Sequence, residues 1–214
     1  MIKNIIYDLD GTLINSSKDI INSFNYAFKI NNIKTKVNNQ YFLNNANLGS
    51  KYFIQNAIKK KKINIQKVQL DFQRHYDFNF YKHTTLKDGV KEFLKFTKKK
   101  NYKNILCTNK KEQIATKILK KYKIYKYFNF IIGYDTFKET KPEFKFVKKI
   151  FKKFQLDCLH TIMIGDTEID SIMANRAKIK FFLIKNGYTK NKFFSYDFKF
   201  KNFNEIKNKI NEKT

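Results

Sequence analysis

Five short apolar runs, each halted by a polar residue or glycine, constrain this 214-residue chain more than any other feature. Ile5-Ile6-Tyr7 stops at Asp8, Ile105-Leu106-Cys107 at Thr108, Phe130-Ile131-Ile132 at Gly133, and Thr161-Ile162-Met163-Ile164 at Gly165-Asp166, and a fifth run spans Ile179 to Ile184. Runs of this length, rich in β-branched and aromatic residues, read as buried strands. Between them the apolar residues fall at helical spacing: Val90, Phe93, Leu94 and Thr97, then Ile114, Ile118, Leu119 and Tyr122, then Phe146, Val147, Ile150, Phe151 and Phe154. The alternation predicts an α/β fold, a Rossmann-like doubly wound parallel sheet with helices on both faces and ligands at the carboxyl ends of the strands.

The alternation fails between Asn15 and His83. Ile20, Ile21, Phe24, Ala27 and Phe28 start one amphipathic helix and Tyr52, Phe53 and Ala57 continue another, with no strand signal between. An all-helical cap over residues 16–83, inserted into a core of residues 1–15 and 84–214, is the expectation. The Asn-rich stretch 38–47 reads as a loop. Phe42, Leu48 and Gly49 read as a helix-turn-helix corner, with a loop covering a bound molecule as the alternative. Residues 203–210 have the spacing of a last helix.

A hydrophobic fraction of 42%, with 23 Phe and 13 Tyr, excludes a disordered chain. The 45 Lys and Arg against 18 Asp and Glu leave a net charge of +27, a field that attracts nucleic acid, anionic membrane or phosphorylated substrates. Only Arg74 and Arg176 are arginines, however, and the lysines are scattered among Asn, Ile, Phe and Tyr, residues that share A/T-rich codons. Compositional bias explains this better than a nucleic-acid surface, which favours arginine and clustering. The basic run Lys59 to Lys62 reads as a solvated helix end. Cys107 and Cys158 match no disulfide framework or metal spacing, and no 18-residue apolar span occurs, so a soluble cytoplasmic protein is expected. His75, His83 and His160 are isolated from one another and do not read as metal ligands.

The strand ends hold the chemistry. At the first, Asp8 and Asp10 lie two residues apart in Asp8-Leu9-Asp10-Gly11-Thr12, where a loop can curl both carboxylates toward one site. Gly11 permits the curl and a close approach of backbone N–H groups to a phosphate. A carboxylate that attacks phosphorus needs a cation to offset repulsion and a proton donor for the leaving oxygen. Asp8 as nucleophile and Asp10 as general acid and then base meet those needs. A turn capped by aspartates is the plainer reading of this pentapeptide alone. At the second strand end, Thr108-Asn109 offers a hydroxyl and N–H groups to an anion, or else Thr108 caps the helix from Lys111. Lys141 precedes Pro142, which suits a first helical turn, although one lysine among so many also reads as surface. Asp166 ends another strand with Asp170 four residues on, a pair suited to a hard cation.

In this order, Asp8-Leu9-Asp10-Gly11-Thr12-Leu13, Thr108-Asn109, Lys141-Pro142 and Gly165-Asp166 with Asp170 resemble the four signature motifs of the haloacid dehalogenase-like hydrolase superfamily, over essentially the whole chain. The resemblance implies Mg²⁺ held by Asp8, the Asp10 backbone carbonyl and Asp166, with Asp170 supporting. It also implies a phosphoryl group bound by Thr108 and Lys141. Leu13-Ile14-Asn15-Ser16, Thr108-Asn109-Lys110, Gly187-Tyr188 and the helical insertion resemble the phosphoglycolate phosphatase branch, which implies a small phosphorylated metabolite such as 2-phosphoglycolate. The alternatives are a capped phosphatase for nucleotides, sugar phosphates or pyrophosphate, and a basic nucleic-acid-binding protein whose phosphatase site is incidental. The oligomeric state is not readable from the sequence.

Overall fold

The computed structural model describes residues 2–46, 49–58, 63–188 and 193–211. In chain order its elements are β1 (Asn4–Tyr7), β2 (Ile14–Asn15), α1 (Ser17–Ile30), α2 (Asn39–Asn45), α3 (Gly49–Ile58), α4 (Ile65–Asn79), β3 (Thr85–Leu86), α5 (Val90–Lys99), β4 (Lys103–Cys107), α6 (Glu112–Lys121), β5 (Phe130–Ile132), α7 (Tyr134–Phe137), α8 (Phe144–Phe154), β6 (Thr161–Gly165), α9 (Glu168–Arg176), β7 (Lys180–Ile184), β8 (Phe198–Phe200) and α10 (Phe203–Asn211). No described helix is long and apolar enough to cross a membrane.

Six strands form one sheet in the order β5-β4-β1-β6-β7-β8, and every neighbouring pair is parallel. The chain runs outward from β1 through β4 to β5, then crosses back to β6 on the other side of β1. That reversal makes the carboxyl end of β1 a topological switch point, where open α/β sheets bind ligands. All four residues of β1 are buried, as a central parallel strand requires. Ile6, Ile105, Cys107 and Met163 share a core cluster with Phe146, Val147 and Ile150 of α8 and Met173 and Ala174 of α9. Tyr7, next along β1, stands edge-on to Phe93 of α5, which in turn packs on Phe203 of α10. Helices thus cover the sheet on two faces.

The described residues of 1–14, 86–187 and 191–214 form one compact unit; those of 15–85 group with those of 188–190 as a second. The second unit is built on aromatic stacking. Phe24 lies parallel to both Phe53 and Phe72, at centroid distances of 4.1 and 4.0 Å, and Tyr188 meets Phe42 edge-on at 5.0 Å. The Tyr188 hydroxyl accepts from Ser16 N at 2.6 Å. Asp19 is buried and accepts from the backbone N–H groups of His83 and Thr84 and from the Thr84 hydroxyl.

Three expectations are corrected. Residues 39–45 form α2 rather than a loop, because the Asn38 side chain accepts from Tyr41 N at 2.8 Å and caps the helix. Pro142 precedes α8 instead of occupying its first turn. Thr108 does not cap α6, whose N-cap is Lys111. Gly49 opens α3 at φ +70, while Leu48 and Lys59 to Lys62 lie outside the described residues.

Candidate active site

The loop after β1 is built by its own backbone. Asp8 N donates to Ile164 O at 2.9 Å, so the ladder to β6 holds up to the first aspartate. The Leu9 carbonyl then accepts from Thr12, Leu13 and Ile14, which closes a tight turn. Gly11 sits in that turn at φ +81, a conformation costly for any other residue. Its N–H donates to Ile14 O at 2.8 Å. Gly11 also makes room. A Cβ there would lie 2.2 Å from Asp166 Oδ2, and one at Gly187 would lie 2.1 Å from Asp166 Cβ. Asp166 is therefore enclosed by two glycines, and the Thr12 hydroxyl donates to its Oδ1 at 2.8 Å.

The other strand ends deliver the remaining groups. Lys141 is buried, with Nζ 2.5 Å from Asp8 Oδ1 and 2.7 Å from Asp170 Oδ1. Burial favours loss of its proton, but the carboxylates of Asp170 and Asp8 outweigh that and hold Lys141 above its ordinary pKa as an ammonium. Burial raises the Asp8 carboxyl well above the usual range; Lys141 opposes the rise, and the charges of Asp170 and Asp166 add to it. Asp170 Oδ2 accepts from the N–H and hydroxyl of Thr167, so Asp170 also closes a capping box on α9. Asn109 grips the backbone of Lys141: Lys141 N donates to Asn109 Oδ1 at 2.9 Å, and Asn109 Nδ2 donates to Lys141 O at 3.2 Å. Its side chain thereby aims Lys141. Thr108 is buried, and its hydroxyl accepts from Lys110 N at 3.2 Å while keeping a proton to donate.

Two lysines were not singled out by sequence reasoning. Lys110 Nζ lies 3.2 Å from Asp10 Oδ2, and its place after Thr108-Asn109 was the available signal. Lys87 donates from Nζ to the carbonyls of Gly11 and Asn186, the latter at 2.6 Å. Burial lowers its pKa, and Asp166 and Asp8 pull it back up, so this ammonium shares the field of the same carboxylates. Nothing in the local sequence sets Lys87 apart from its many neighbours of the same type. Cys107 lies beneath the site, buried, with its thiol pushed up to about 12 by burial.

Asp8, Asp166 and Asp170 each place a carboxylate oxygen within 4.8 Å of the others, the one such acidic group of metal-holding type among the described residues. Buried oxygens in negative excess suit a hard divalent cation. With a buried carboxylate, a second carboxylate beside a lysine, a hydroxyl and an aimed ammonium, the site has what is needed to transfer a group from an anionic substrate.

A family model described as haloacid dehalogenase-like hydrolase matches residues 5–184. A phosphoglycolate phosphatase from Aquifex aeolicus is 30% identical over 189 residues, covering 87% of this chain and 86% of the relative. One from Mesorhizobium japonicum is 27% identical over 190 residues, covering 86% and 83%. The crystal structure of a predicted phosphoglycolate phosphatase from Haemophilus somnus superposes with a TM-score of 0.86 at 25% identity, over 98% of each chain.

Proposed function

The chain belongs to the haloacid dehalogenase-like hydrolase family, and on that premise we propose that it is a Mg²⁺-dependent phosphomonoester hydrolase acting through an aspartyl-phosphate on Asp8. The substrate is a small phosphorylated metabolite, 2-phosphoglycolate first, because relatives similar over most of their length carry that activity in their names. The observation that carries the reading is the buried contact of Lys141 with Asp8 and Asp170. A lysine so held offsets the charge of a nucleophilic carboxylate and of the phosphate it approaches.

Asp8, the Asp10 backbone carbonyl and Asp166 would hold the cation, with Asp170 behind them. Once bound, Mg²⁺ supplies the positive charge that lets two anions meet. The chain supplies the rest. Thr108 and Lys141 orient the phosphoryl group, with the backbone of Asn109 beside them. Asp8 forms a bond to phosphorus as the ester oxygen leaves, and Asp10 gives that oxygen a proton. Asp10, now a carboxylate, takes a proton from water, whose oxygen displaces Asp8 and releases inorganic phosphate. Lys110 keeps the Asp10 carboxyl directed while it changes role.

The test is a panel of phosphorylated metabolites, with 2-phosphoglycolate and pyrophosphate included, assayed with and without Mg²⁺. Hydrolysis should require the cation, vanish in Asp8→Asn and fall at least about a hundredfold in Asp10→Asn, the scale of general acid catalysis. Robust turnover by Asp8→Asn would overturn the mechanism.

A further inference from the structure

The two glycines that enclose Asp166 come from chain segments far apart in sequence, the loop after β1 and the loop after β7. Neither loop has a side chain at its glycine with which to brace the other. What joins them is Lys87: its ammonium donates to the carbonyl of Gly11 in one loop and to that of Asn186 in the other, one residue before Gly187. Lys87 N also donates to Leu13 O at 3.0 Å, so its backbone is fixed to the first loop as well. Two atoms of one residue, through three hydrogen bonds, thus bind both walls of the Asp166 enclosure.

We infer that Lys87 is a positioning residue for the cation-holding carboxylate of Asp166, acting by clamping the Gly11 and Asn186-Gly187 loops at the spacing that leaves room for that side chain alone. The inference rests on the proposed Mg²⁺ role of Asp166. A wall that relaxes outward frees the Asp166 carboxylate to rotate away from Asp8, and partners that orient a metal ligand typically govern about 10–100-fold in affinity. In that role Lys87 touches neither substrate nor cation.

The test is Mg²⁺ binding by calorimetry and by stabilisation against heat, on the wild type, Asp166→Asn, Lys87→Met and Lys87→Arg. Methionine keeps the apolar stem of Lys87 and removes both carbonyl contacts. Lys87→Met should bind Mg²⁺ about tenfold more weakly, while melting near the wild-type temperature in EDTA. Activity it loses at low magnesium should return at high magnesium, and Lys87→Arg should recover most of the affinity. Unchanged or tighter binding by Lys87→Met, with Asp166→Asn impaired, overturns the clamp and leaves the proposed function standing. A wild type that does not bind Mg²⁺ overturns both. Should Lys87→Met not fold, Lys87→Gln is read by the same criteria.

Discussion

At the residue scale, space is as specific as charge. Gly187 carries no catalytic group, yet a methyl there would overlap Asp166 Cβ. Gly187→Ala is therefore expected to displace Asp166 and raise the Mg²⁺ concentration for half-maximal hydrolysis at least tenfold, the range set by disturbed ligand orientation. A magnesium titration that superposes on the wild type would contradict this. Cys107 and Cys158 give a second expectation. One is buried and its thiol is raised to about 12, whereas the other is exposed. The thiolate is the reactive form, so iodoacetamide on the folded protein should add to Cys158 alone, and two adducts should appear in denaturant. Mass spectrometry of the intact chain reads the difference. The spacing of Asp8, Asp10, Asp166 and Asp170 was visible in the sequence because strand ends announce themselves. The grip of Asn109 on Lys141 and the space made by Gly11 were not, since each depends on which atom of a distant segment lies within 3 Å.

At the element scale, the five apolar runs correspond to β1, β4, β5, β6 and β7, and the alternation that revealed them is the same burial that stabilises a central parallel strand. β8 escaped because Phe198-Lys199-Phe200 is three residues long with a lysine at its centre, as befits an edge strand guarded by a lysine. α2 escaped because asparagine favours turns in general, while here Asn38 is the cap that starts a helix. Asn38→Ala is thus expected to lower stability by about 1 kcal/mol, measured by urea unfolding, with Asn38→Ser close to the wild type. The pairing of α1 with α4 offers a pH test. Burial, with Lys82 nearby, lowers the pKa of His75, whose ring stacks on Tyr26 and bonds Ser23 Oγ. The folded state resists protonation more than the unfolded one. Stability from this group is present above the ordinary histidine value near 6.5 and is lost as the pH falls through it. The urea midpoint should drop between pH 7.5 and 5, and His75→Gln should flatten part of that drop; an identical slope in the variant would remove His75 as its source.

At the scale of the whole molecule, the charge of +27 asks whether the lysines serve one surface or none. They recur at the ends of unrelated helices: Lys98 and Lys99 close α5, Lys120 and Lys121 close α6, and Lys152 and Lys153 close α8. Cations in a last turn complement the helix dipole wherever the helix points, which favours scatter over a stripe. Others lie over aromatic rings, Lys148 on Phe144 at 4.6 Å and Lys207 on Phe96 at 5.5 Å, so that lysine and phenylalanine, abundant together, cover one another. A protein selected to bind nucleic acid would gather such charge along one groove and release many counterions at once. Scattered charge gives only the non-specific term. Duplex DNA should therefore bind with a Kd no tighter than about 1 μM at physiological salt, in the non-specific range, and equally to Asp8→Asn and the wild type. Fluorescence anisotropy across a salt series measures it. A nanomolar Kd at 200 mM salt would mean that the lysines form a recognition surface, and the phosphatase site would then have to share the molecule with a second function.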